Sequence, residues 1–171
     1  MLQKILPSVI DNNYKGHKIA LWFFYLITAV AVVRSCIHIF RQDGGAQSIA
    51  TIPLNNFTEN GANTVILIFA YWGLSQLIFG ILQVIVAFRY KSLILLMYLL
   101  FVIGWGGRFI ISLFKTIETT GTAPGKIGNQ IFPILCLVMF FLSIYQRRYT
   151  TNSCCFYPIH IMHTTINHII Y

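Results

Sequence analysis

The chain alternates between long apolar runs and short polar flanks. A helix needs about 20 apolar residues to cross a hydrocarbon core. Four runs reach or approach that length, at about 19–40, 64–88, 93–114 and 130–145. The fourth is the shortest and begins near Pro133. A first helical turn tolerates proline, because the missing N–H would be unpaired there anyway. The pattern predicts an all-α protein, a polytopic transmembrane four-helix bundle over 19–146. A segment 1–18 precedes it. A tail, 147–171, follows and is expected to be poorly ordered or to lie at the interface.

The flanks orient the bundle. Arg89-Tyr90-Lys91 separates the second and third helices and predicts a tight helical hairpin. Lys4, Lys15 and Lys18 before the first helix, and Arg147 and Arg148 after the fourth, fall on the same side. Seven of the 12 basic residues therefore share one side, opposed only by Asp11. The other side carries Arg41, Lys115 and Lys126, balanced by Asp43, Glu59 and Glu118. The positive-inside rule then places both N and C termini in the cytoplasm of a multi-pass protein of the cell membrane, inner or plasma. Ala29-Val30-Ala31 has the form of a signal-peptidase site, but the apolar run continues past it to Phe40. Cys36 is no lipoprotein cysteine, since Arg34 and Ser35 precede it where an apolar stretch is wanted.

Composition agrees and excludes other classes. Hydrophobic residues make up 57% of the chain and charged residues 9%, with only 4 acids. So few charges could not clothe a soluble domain of this size. The same numbers exclude a disordered chain and a disulfide-dense scaffold. The net charge of +8 does not imply nucleic acid, because no basic stripe with interleaved aromatics exists to hold a phosphate backbone.

The loops and the tail add little chemistry. The first loop, about 41–63, opens with Asp43-Gly44-Gly45, a tight-turn sequence. Its Ser48–Leu54 stretch is apolar enough to lie on the membrane surface, and Asn56-Phe57-Thr58 is a glycosylation sequon. In the second loop, Gly121 to Lys126 has the look of a phosphate loop. Its spacing is one short, and Ile127 replaces the hydroxyl that would hold magnesium. The tail holds Cys154, Cys155, His160, His163 and His168, at spacings that set no metal geometry. Palmitoylation of Cys154 or Cys155 is the alternative use of that tail. No metal and no cofactor are expected.

The informative residues lie within the apolar runs. Arg34 and Arg108 each sit six residues before the outer end of their helix, about 9 Å inside at 1.5 Å per residue. One reading is that both snorkel to headgroups. The other is that both face the bundle interior and hold an anion. His38 and Ser112 follow the two arginines by one turn each. On the second helix Gly73, Gln76, Gly80, Gln83 and Ala87 form one face, where small residues permit close approach and amides bond across helices. Gln76 and Gln83 could alternatively line a cavity. Gly104, Gly106 and Gly107 thin the third helix just before Arg108, for packing, a kink or room for a ligand. The candidate ligand-binding set is therefore Arg34, His38, Gln76, Gln83, Arg108 and Ser112, with no catalytic residue. Cys36 and Cys136 share an estimated depth, but no Cys-x-x-Cys supports thiol chemistry. A faint repeat pairs Arg34, Ile37, Phe40 and Arg41 with Arg108, Ile111, Phe114 and Lys115, as if two hairpins were related by duplication.

Arg34 through Phe40, Asp43-Gly44-Gly45, and Met97 through Gly107-Arg108 together resemble a family of small bacterial four-helix membrane proteins. That family is a domain of unknown function akin to the broader DoxX-like proteins. The resemblance covers about 19–145. It implies four helices with both ends inside and carries no activity of its own. The broader group includes subunits linked to quinone-coupled oxidation.

The expected function is binding or transport of a lipid or small anionic ligand within the bundle, without enzymatic activity. The alternatives are a non-catalytic accessory or structural membrane subunit, and a quinone- or thiol-linked redox protein. The expected partners are membrane lipids, with a second copy of the chain or another membrane subunit as further candidates.

Overall fold

The computed structural model describes residues 2–116 and 119–145. Over these residues the chain is helical, with no strand. A short α1 (Leu2–Ile5) precedes four long helices: α2 (Lys18–Phe40), α3 (Glu59–Arg89), α4 (Ile94–Phe114) and α5 (Pro124–Ile144). All four are long and apolar enough to cross a membrane. Their outward faces carry Trp22, Leu26, Phe88, Phe114 and Ile134, all largely exposed. Such an apolar exterior is that of a multi-pass membrane protein. The tail 147–171, with its cysteines and histidines, and Glu118 lie outside the described residues.

Two helices begin earlier than their apolar runs, and the first turns explain why. Thr58 caps α3, its hydroxyl accepting from the Gly61 N–H at 3.3 Å, and Glu59 sits favourably in the first turn. Pro124 opens α5 with its fixed φ. Both turns are polar, so hydropathy alone does not include them. Pro133 consequently lies inside α5 rather than at its start, where it removes one backbone hydrogen bond.

The helices pair as α2 with α3 and α4 with α5, while α3 and α4 barely touch along their lengths. The Arg89-Tyr90-Lys91 connection is tight, made by a single 3-10 turn at Lys91–Leu93, yet it does not join a closely packed pair. Small residues on α3 decide this. A Cβ added at Gly73 would lie 2.7 Å from His38 Cβ, and one at Gly80 would lie 3.2 Å from Val32 Cγ2. Gly80, Gln83 and Ala87 are buried on the same face. The stripe draws α3 against α2 and away from α4.

One end of the bundle, around the α3–α4 turn, is closed by a dry core. Phe24, Ile94, Tyr98 and Cys136 are fully or almost fully buried there. Tyr98 packs edge-on against Phe24 at 5.9 Å between ring centroids, and its hydroxyl donates to the Ala20 carbonyl. The N-terminal segment straps across this end. Ser92 and Asp11 exchange hydrogen bonds of 2.9 to 3.2 Å, and the His17 N–H donates to the Leu142 carbonyl at 3.2 Å. The Tyr14 hydroxyl pairs with Ser143 Oγ at 2.7 Å. Burial pushes the Tyr14 pKa up, with the Ser143 bond opposing.

Two loops cover the opposite end. Gly44 and Gly45 adopt positive φ angles of 57° and 75°, which glycine reaches without steric cost. Burial alone would raise the Asp43 carboxyl. Hydrogen bonds from the Ser48 N–H at 2.7 Å and the Gly45 N–H at 3.0 Å, with Arg41 Nε at 3.3 Å, outweigh that and hold its pKa down to about 2. Thr51 ties the first loop to the second: its carbonyl accepts from the Thr120 N–H at 2.9 Å, and its hydroxyl donates to the Gly121 carbonyl at 3.0 Å.

Candidate functional site

A cavity of about 130 Å³ lies between the α2–α3 pair and the α4–α5 pair. It exists because those pairs pack tightly within themselves and sparsely against each other. From α2 it is lined by Ile27, Val30, Ala31 and Arg34, and from α3 by Gln76, Phe79 and Gln83. From α4 come Leu100, Phe101, Gly104, Trp105 and Arg108, and from α5 Phe132.

The two arginines meet at one end of this cavity. Arg34 donates from Nε to Gln76 Oε1 at 3.1 Å and also from an Nη. Its guanidinium carbon lies 5.7 Å from the Trp72 ring centroid and 5.3 Å from that of Trp105. Arg108 lies 5.3 and 5.0 Å from the same two rings. Both cations thus sit between the same pair of indoles, whose negative faces stabilise positive charge. Trp105 is itself braced by Phe132, stacked at 4.8 Å.

Electrostatically the arrangement is incomplete. Among the described residues no carboxylate pairs with either arginine, and the one ion pair is Arg41–Asp43 on the loop. The Arg108 guanidinium finds no protein acceptor among the described residues. Three buried side-chain atoms also lack partners among the described residues: Gln76 Nε2, Gln83 Oε1 and Thr28 Oγ1. Buried polar atoms are normally satisfied, and cations drawn out of water, as these two half-buried arginines are, are normally paired. An occupant that brings an anion and a hydrogen-bonding group would satisfy both.

Of the six residues selected from sequence, Arg34, Gln76, Gln83 and Arg108 line the cavity. His38 and Ser112 do not. The His38 ring is buried, and its Nδ1–H donates to the Gly44 carbonyl at 2.7 Å. It packs against Trp72 at 4.9 Å between centroids and so steadies that indole from outside the cavity. Ser112 is exposed and donates back to the Phe109 carbonyl at 2.7 Å. Hydroxyls on apolar helices commonly satisfy themselves this way.

Trp72 and Trp105 were missed by sequence reasoning. Trp105 precedes Arg108 by one helical turn, and that spacing on one helix face was the available signal. Trp72 carried no such signal, because its contact with the arginines is made across helices. Gly104 lines the cavity, and a Cβ built there, or at Gly106 or Gly107, would meet nothing within 4 Å. Cys136 is buried in the apolar core, and Cys36 is half-buried on α2.

Comparison with protein-family models, with characterised proteins and with solved structures finds no match to this chain.

Proposed function

We infer that this is a multi-pass protein of the cell membrane, with both termini cytoplasmic, which binds a small anion or anionic lipid headgroup inside its helix bundle. The observation that carries the reading is the pair Arg34 and Arg108, held between Trp72 and Trp105 at the edge of a cavity. Two uncompensated guanidiniums in a low-dielectric setting attract an anion strongly. Arginine forks suit carboxylate and phosphate oxygens. The cytoplasmic placement of the termini rests on the seven-to-three division of flanking cations across the two sides.

Arg108→Gln keeps a polar side chain but loses the charge and the fork. The variant is expected to insert and fold, yet to lose copurifying anionic lipid or ligand-dependent thermal stabilisation. Arg34→Gln should act alike, and the double variant should add little if both serve one site. Retention of the bound anion, measured by mass spectrometry of the purified double variant, would overturn the reading.

One observation favours a second role. Gly104, Gly106 and Gly107 present small residues on α4 where, among the described residues, a Cβ would meet nothing within 4 Å. Small residues let helices approach closely within membranes, so an accessory subunit role, through contact with a second copy or another membrane protein, is the competing reading. Crosslinking from Gly106→Cys in native membranes distinguishes it: a stable crosslinked species with unchanged Arg108→Gln behaviour favours the accessory role.

A further inference from the structure

The cavity has two polar tiers, and their separation describes the ligand. The cationic tier holds Arg34, Arg108 and Gln76. The second tier is neutral. Gln83 is 2% exposed and its Oε1 has no partner. Thr28, 5% exposed and with an unpartnered hydroxyl, lies behind the cavity lining rather than in it. Gly73 lies against His38 and Gly80 against Val32, so α2 and α3 run antiparallel in a register that brings Thr28 to the level of Gln83. Gln76 and Gln83 are seven residues apart on α3, which separates the tiers by about 10 Å along the helix. Between and around them the walls are apolar, with the rings of Phe79, Phe101, Trp105 and Phe132 set among smaller aliphatic side chains.

We propose that the cavity takes a small aromatic monocarboxylate carrying a hydroxyl, a hydrogen-bond donor, at the end remote from the acid. The proposal rests on the anion-binding reading above and narrows it. The head is a carboxylate because one guanidinium fork is free. Arg34 already gives two donors to Gln76, whereas Arg108 has an unengaged edge that matches one carboxylate in bidentate geometry. The body is a single ring because the cavity volume is about 130 Å³. For comparison, an apolar cavity of about 150 Å³ accepts benzene. One ring flanked by two hydrogen bonds of about 2.9 Å each spans a tier separation of this order. The remote hydroxyl answers the orphaned Gln83 Oε1, which an unsubstituted ring would leave unpaired. Inorganic phosphate would satisfy the arginines but leave the aromatic walls and Gln83 unserved. A phospholipid would place only its headgroup inside.

The test measures thermal unfolding of the full chain in neutral detergent. The probes are 4-hydroxybenzoate, benzoate, 4-hydroxybenzyl alcohol, inorganic phosphate and phosphatidylglycerol in mixed micelles. At about 100 times its Kd, 4-hydroxybenzoate should shift the unfolding equilibrium about 100-fold. It should bind about 3- to 10-fold more tightly than benzoate, the difference one neutral hydrogen bond makes, and the uncharged alcohol should give no shift. Gln83→Met should bring 4-hydroxybenzoate and benzoate to the same affinity without abolishing either. Equal affinity of the two acids in the unsubstituted protein overturns the proposal without needing any variant to fold. If phosphate or phosphatidylglycerol stabilises through Arg108 and neither aromatic acid does, the proposal fails while the anion-binding reading stands. If no anion stabilises, both fail.

Discussion

The two ends of the bundle are built from the same four helices and solve opposite problems. At the α3–α4 turn, large side chains fill the space: Phe24, Tyr98 and Ile94 are fully buried, and the Tyr98 hydroxyl is satisfied by the Ala20 carbonyl. About three turns further along, the helices hold two cations, orphaned amide atoms and a void. The closed end supplies the packing free energy that keeps the open end from collapsing. Glycine shows the same contrast. On α3 it brings a neighbour close, whereas on α4 it leaves room. The same residue type therefore means packing in one hairpin and vacancy in the other, and only the partner helix decides which.

The largest expected effect breaks the closed end. Phe24→Ala should destabilise by about 3–5 kcal/mol, as large aromatic truncations in filled cores do. Phe132→Ala, at the cavity margin, should lose less than half of that. Equal losses, read from thermal unfolding in detergent, would erase the distinction between the ends.

A smaller pair of substitutions tests the glycines. Gly80→Leu drives a side chain into Val32 and should destabilise by about 1–3 kcal/mol, whereas Ile81→Leu beside it should stay within about 0.5 kcal/mol. Gly104→Ala should instead stabilise by about 0.5–1 kcal/mol, because its Cβ meets nothing and alanine is the better helix former. A destabilising Gly104→Ala would show that the space beside it is not free.

The smallest effect concerns the loops over the open end. The Asp43 carboxyl is held at about pKa 2, below its ordinary value of 3.8. A depressed folded-state pKa gives stability that is present above the unfolded value and is lost as pH falls through the folded one. The loop over 41–51 should therefore keep its order above about pH 4 and loosen between pH 4 and 2. A spin label attached at Gln47→Cys should become more mobile over that window, and Asp43→Asn should flatten the profile.

Hydropathy made the four helices legible, because a span of lipid demands a long apolar run whatever the fold. It could not place the starts of α3 and α5, whose first turns are polar and set by Thr58 and Pro124. The small-residue stripe on α3 was legible as a packing face, since its spacing is helical. Which helix it packs against was not, because the short turn to α4 argues for one neighbour and glycine contacts choose the other. Arg34, Gln76, Gln83 and Arg108 stood out as polar groups in apolar runs. Trp72 and Trp105 did not, because tryptophan is ordinary in a membrane helix until its ring is found against a cation. His38 and Ser112 showed the reverse. Each shares its arginine's helix face, but a backbone carbonyl satisfies it before any ligand can.

The pairing of indoles with guanidiniums also gives the protein an optical reporter of its own. The chain has 3 tryptophans, and two of them flank the arginines while Trp22 stands 69% exposed on the outer surface of α2. An indole's emission responds to the field across its ring, so neutralising the charge between Trp72 and Trp105 shifts their spectrum and leaves that of Trp22 unchanged. With Trp22→Phe the remaining tryptophan fluorescence comes wholly from the two indoles beside the arginines, and an unlabelled protein in an intact bilayer then registers the arrival of an anion as a change of colour.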